Sequence, residues 1–177
     1  MRREKLQHIL IGAAVALAVL VPLGTFAFVK SGIYNVGASK PHTTFTEWVT
    51  HETMIHSVRR HAKSDTPPMR FTAGQVTAGF CAYETHCVAC HGAAEVARQR
   101  WAGGMEPAPP YLLDINHRFT RPELFWIVKN GIKMTGMPSW KNEMSDGQIW
   151  SVVAWLEASA TLPPQTYVDW RRGRRCG

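Results

Sequence analysis

Cys87-Val88-Ala89-Cys90-His91 is the segment that most narrows what this chain can fold into. Thiols three positions apart fall on roughly one side of a helical turn. The histidine follows at once, so all three groups are presented from one short stretch of backbone. This is the attachment signature of c-type haem: each thiol adds to a vinyl group of the porphyrin, and His91 rises beneath it as the proximal iron ligand. A bare C-x-x-C would equally serve zinc or a thioredoxin-like redox pair, and the trailing histidine is what separates the readings. A closed zinc site needs a second ligand pair, for which the downstream chain offers Cys176 as its one cysteine and His117 as its one histidine.

The N-terminal end follows a different logic. From Ile9 to Val29 there are 21 residues without a charge, a length that as a helix approaches the ~30 Å of a bilayer core. Arg2, Arg3 and Lys5 precede the run, so the positive-inside tendency keeps the N-terminus cytoplasmic and sends everything after Lys30 across. The competing reading is a cleaved signal peptide, with Pro22 and Gly24 breaking the helix and Thr25-Phe26-Ala27 as the cleavage site. The apolar run continues through Phe28 and Val29 and lacks a clean A-x-A pattern, which favours a retained single-pass anchor. Either way the remainder lies outside the cytoplasm.

The formal charge of +7 is unevenly spread: residues 1–30 carry +3, 31–69 carry +1, 70–170 carry −1 and 171–177 carry +4. The basic excess sits at the membrane end and in Arg171-Arg172-Gly173-Arg174-Arg175, so no nucleic-acid partner is called for. That tail reads as a solvated, disordered end, with contact to anionic lipid or an acidic partner as the sharper alternative.

Four segments follow: a cytoplasmic N-terminus and transmembrane anchor over 1–30, a linker with an amphipathic helix over 31–69, a haem domain over 70–170 and a basic tail over 171–177. Within the linker, Phe45, Trp48, Val49, Ile55 and Val58 recur at helical spacing over Thr44–Ala62, and Arg59 and Arg60 stand where a helix dipole favours cations. Such a stripe suits the bilayer surface or another subunit. His42, His51, His56 and His61 do not share one helix face, and no second C-x-x-C-H accompanies them, so they read as surface or interfacial histidines. Ser64-Asp65-Thr66-Pro67-Pro68 should separate this helix from the next domain.

The spacing then predicts a helix over Thr72–His86, another over Glu123–Asn130 with a capping box at Thr120 and a stop at Gly131, and a third over Ile149–Ala158 capped from Ser145, with Pro163-Pro164 ending the region. No strand alternation appears, so the fold class is all-α.

A six-coordinate haem needs a second axial ligand from downstream. Met137 fits best: it lies in Thr135-Gly136-Met137-Pro138-Ser139-Trp140, 46 residues after His91, with glycine and proline neighbours that keep the backbone out of helix. Met134, Met144 and Met105 are the alternatives, since methionine more often fills core gaps.

The chain resembles the monohaem class I cytochromes c, in particular the haem domains of the cbb3-type haem–copper oxidase. The likeness is carried by Cys87–His91-Gly92, Pro109-Pro110-Tyr111-Leu112, the stretch from Glu123 to Trp140 and that from Ile149 to Leu156, and it covers about residues 70–170. It implies a class I cytochrome c fold behind a transmembrane helix and a short amphipathic one. It also implies that the Pro110 carbonyl accepts a hydrogen bond from the proximal imidazole, and that Gly79, Tyr83 and Trp155 belong to the contact of the first and last helices. The oxidase subunit carries two haem motifs and this chain one, so identity with that subunit is not implied. Cys81 and Cys176 lie outside the pattern, either paired in an oxidising compartment or unpaired.

The site residues expected are therefore Cys87, Cys90, His91, Met137 and Pro110, with His91 and Met137 on the metal and one covalent haem c as cofactor. Iron with His and Met ligands has no open position, so the expected role is one-electron transfer by a carrier or an electron-transfer subunit rather than by an enzyme in its own right. Trp126, Trp140 and Phe125 are candidates to bury the porphyrin. The expected place is a bacterial inner membrane with the haem domain in the periplasm, and the expected partners are a dehydrogenase, a quinol-oxidising complex or a terminal oxidase. The alternative is a gas sensor or peroxidase-like haem enzyme in which Met137 is labile or absent from the iron.

Overall fold

The computed structural model describes residues 2–112, 118–173 and 176. They fall into two compact units, 1–40 and 41–177. Among the described residues the regular structure is helical, without strands.

The first unit is one long helix, α1 (Arg2–Ser31), with no buried residue. It runs through Pro22 and Gly24 without a break, and it is the one helix among the described residues long and apolar enough to cross a membrane, with a mean hydropathy of 2.4 over its most apolar window.

The second unit begins with α2 (Thr44–His61), whose N-cap Thr43 accepts a hydrogen bond from the Thr46 N–H at 3.2 Å. Val58 and Ala62 at its far end are buried. There His61 stacks on Trp126 at 5.8 Å, and Arg59 lies 3.9 Å from Glu123. The Ser64–Pro68 break was expected to hold this helix apart. Instead the Arg121 guanidinium donates to the carbonyls of Pro68 and Met69 at 3.2 and 3.4 Å and to Glu157 at 2.5 Å, which ties the break to the domain.

Next come α3 (Ala73–His86), the single turn α4 (Val88–His91), α5 (Arg121–Asn130), α6 (Asp146–Ser159) and α7 (Pro164–Arg172). The caps read from the sequence at Thr120 and Ser145 are in place, and Thr72, read as the first residue of a helix, caps α3 as well. Thr72 exchanges bonds with Gln75 at 3.0 and 3.2 Å, the Thr120 N–H donates to Glu123 at 2.7 Å, and the Ser145 N–H donates to Gln148 at 2.9 Å. α3 and α6 cross at Gly79, where a Cβ would come within 1.8 Å of the Ser151 carbonyl oxygen. Only a residue without a side chain permits that approach. Phe80, Tyr83, Phe125, Val128, Ile149, Val152, Val153 and Trp155 fill the core around the crossing.

α7 corrects two expectations. Pro163-Pro164 does not end the ordered region, because Pro164 occupies the first turn of α7, where a missing N–H costs nothing. The basic end is not a free tail either. Tyr167 and Trp170 lie edge-on against Phe80 at 5.5 and 5.4 Å, Arg171 pairs with Glu84 at 3.1 Å, and Cys176 is disulfide-bonded to Cys81. Aromatic burial and the cross-link hold it against α3. Arg174 and Arg175 lie outside the described residues.

Candidate functional site

The site is built where α3 ends. Cys87 is the C-cap of α3, its N–H bonded to the Tyr83 carbonyl, and it opens the turn that carries the motif. The N–H groups of Cys90 and His91 both return to the Cys87 carbonyl, at 3.1 and 2.9 Å. Gly92 stops the turn at φ +63, and a Cβ there would meet the Tyr111 ring at 2.6 Å. Its carbonyl accepts a 2.6 Å bond from the buried Tyr83 hydroxyl. The glycine after the histidine is thus a structural requirement.

The disulfide between Cys81 and Cys176 leaves Cys87 and Cys90 as the free thiols, the first buried and the second half-buried. Burial, aided by neighbouring Cys90, pushes the Cys87 thiol up to about 12. A redox or nucleophilic cysteine requires the opposite shift. Zinc fits no better. Cys176 is spent on Cys81, His117 lies outside the described residues, and no cluster of three or more His, Cys, Asp or Glu suited to a metal occurs among the described residues.

His91 is buried, and its Nδ1 lies 2.8 Å from the Pro110 carbonyl oxygen. Since a carbonyl only accepts, Nδ1 carries the proton and Nε2 keeps its lone pair for a metal. Burial lowers the imidazole pKa and the Arg98 cation adds to this, while the Pro110 bond works the other way. Arg98 itself was not singled out from the sequence. Its guanidinium donates to the Pro109 carbonyl and lies over the Tyr111 ring at 4.5 Å, gripping the chain on both sides of Pro110. No spacing rule marks such a residue, because both contacts are made across a loop.

α5 ends at Gly131, φ +66, where a Cβ would lie 2.6 Å from Pro138. The following loop folds back on itself. The Ile132 N–H points to the Met137 carbonyl at 3.3 Å, Thr135 Oγ1 donates to Ile132 at 2.7 Å and accepts from the Met137 N–H at 3.1 Å, and Ser139 Oγ donates to Lys129 at 2.8 Å. This brace leaves Met137 half-buried against the core. The other methionines separate clearly: Met134 is 90% exposed, Met144 is buried in the core, and Met105 packs its sulfur against Gly136. Of the aromatic residues expected around a porphyrin, Phe125 is buried and stacks on Trp150 at 4.1 Å, Trp126 faces His61, and Trp140 lies 5.0 Å from His86.

Beside His91 is a cavity of about 470 Å³, lined also by Tyr111, Trp155, Leu162 and Tyr167, and not by Met137. Of these lining residues, Trp155 and Tyr167 carry buried polar atoms, Nε1 and the hydroxyl, without a hydrogen-bond partner. The donor set as a whole suits c-type haem: two free thiols on one turn, a neutral imidazole with its outer nitrogen open, and a thioether on a braced loop.

Residues 74–156 match the family model of cytochrome C oxidase, cbb3-type, subunit III. A comparison with curated proteins gave no match. The matched stretch runs from α3 into α6 and contains the C-x-x-C-H turn, Pro110 and Met137. Over residues 74–156, then, this chain is similar to the cbb3-type cytochrome c domains, a likeness that implies haem c, and its N-terminal apolar helix fits a membrane anchor.

Proposed function

We propose that this protein carries a single covalently attached haem and transfers one electron at a time, as a membrane-anchored cytochrome carrier or as the cytochrome subunit of a respiratory or dehydrogenase complex. When bound, haem supplies the one-electron iron couple. Cys87 and Cys90 would hold it by thioether bonds, and His91 Nε2 and Met137 Sδ would bind its iron. The Pro110 carbonyl keeps the proximal ring oriented and raises its donor strength.

The observation that carries this reading is the His91 Nδ1 to Pro110 bond, which leaves Nε2 open one residue from a free thiol pair. The positive-inside tendency and the maturation chemistry of c-type haem support a single-pass anchor in a bacterial inner membrane, with the haem domain in the periplasm. Donor and acceptor would be a dehydrogenase, a quinol-oxidising complex or a terminal oxidase, reached through residues 70–170, while residues 1–30 hold the chain to the membrane.

The test is spectroscopic. Purified protein should retain its pigment through acidified-solvent extraction, and its ferric form should show the weak red band of methionine–iron bonding. Its ferrous form should not bind carbon monoxide. Rapid carbon monoxide binding would replace this reading with a gas sensor or peroxidase-like enzyme, and extractable pigment would remove the covalent attachment.

A further inference from the structure

One face of α2 passes from protein into solvent along its length. Ala62, Ile55 and Trp48 are spaced by two helical turns and so share that face. Ala62 is 2% exposed, Ile55 is half-buried and Trp48 is 60% exposed. Phe45, with its ring 6.1 Å from that of Trp48, is 72% exposed, and Val49 is exposed beside them. The far end of the helix is fixed to α5, while its first two turns overhang with an indole, a phenyl ring and an isopropyl group together on the outside.

We propose that the Phe45–Trp48–Val49 face of α2 is seated in the interfacial layer of the bilayer that α1 crosses. The inference rests on the reading of α1 as a membrane span. Three observations favour lipid as the occupant. The connector between the helices, residues 32–43, reaches at most ~40 Å, so a bilayer holding α1 is within range of α2. That connector itself presents Ile33 and Val36 almost fully exposed, continuing the apolar character of the span toward α2. Residues 41–58 contain no lysine or arginine, so attachment would come from aromatic and aliphatic side chains at headgroup depth rather than from lipid charge. Because Val58, Ala62 and His61 lock the other end of α2 to α5, seating the overhang would hold the haem domain in one orientation to the membrane.

The experiment uses the full chain with its haem, labelled with 5-fluorotryptophan, in nanodiscs of zwitterionic phosphatidylcholine with and without lipid bearing a nitroxide near the headgroup. The Trp48 fluorine resonance, assigned with Trp48→Phe, should lose intensity roughly twofold or more. That of Trp101, equally exposed at 58%, should not. Co-elution with the disc while Trp48 is unaffected, or equal loss at both residues, overturns the seating and leaves the anchor standing. Shielding of Trp48 in native membranes but not in the lipid disc assigns the face to a protein partner and also overturns it. Failure to co-elute with the disc overturns the anchor reading together with this one.

Discussion

Tyr83 shows how one polar atom secures the C-x-x-C-H turn. Its hydroxyl donates to the Gly92 carbonyl at 2.6 Å from a fully buried position. Tyr83→Phe leaves that carbonyl buried and unpaired, a loss of about 1–3 kcal/mol, to be read as a lower urea midpoint for the holoprotein. Asp65 makes a second case, in the break after α2. Burial raises its pKa above the ordinary value, Asp146 adds to this, and Lys129 opposes it. A carboxyl that is more easily protonated in the native state contributes stability below its unfolded pKa and loses it as pH rises through the folded value. The share of the urea midpoint's pH dependence that Asp65 supplies should therefore fall on going from about pH 4 to about pH 7, and Asp65→Asn should remove that share. A pH dependence unchanged in the variant would assign it to other groups. The C-x-x-C-H turn and the braced loop of Met137 are local features, so spacing and immediate neighbours mark them along the chain. Arg98 is not so marked, since what it grips lies eleven and thirteen residues away across a loop.

At the scale of elements, the crossing of α3 and α6 bears the most constraint. Gly79→Ala places a methyl group within 1.8 Å of the Ser151 carbonyl oxygen. Neither helix can yield without disturbing Phe80 and Trp155, so the cost should be about 3 kcal/mol or more, measured by thermal or urea unfolding of whatever holoprotein accumulates. An effect below about 1 kcal/mol would mean the helices slide freely. The starts of α5 and α6 were legible because a cap and its partner three residues on are a local pattern. α7 was missed for a related reason. Two prolines read as a stop, although the second is equally suited to open a helix, and the aromatic residues that hold α7 in place find their partners on α3 and α6.

Over the whole molecule, the link between Cys81 and Cys176 closes a loop with a sequence separation of 95, enclosing most of the family-matched stretch 74–156. Replacing both with serine should lower stability by about 2–4 kcal/mol, with the wild type falling to the level of the variant when reductant is added. The membrane reading has its own measurement. The intact mass of the mature protein should equal the uncleaved chain plus one haem, and a product beginning after Ala27 would identify α1 as a removed signal sequence. The apolar run, the helical class, the capped helix starts and the Cys87-x-x-Cys90-His91 turn were determined by the sequence alone, because each depends on residues within a few turns of one another. Only the tertiary structure decided that the two outlying cysteines pair, that the C-terminal half of α2 rests on α5 while its first turns stay bare, and that Arg98 braces the chain beside Pro110. Those contacts join segments far apart along the chain, and such meetings leave no periodic trace in the order of amino acids.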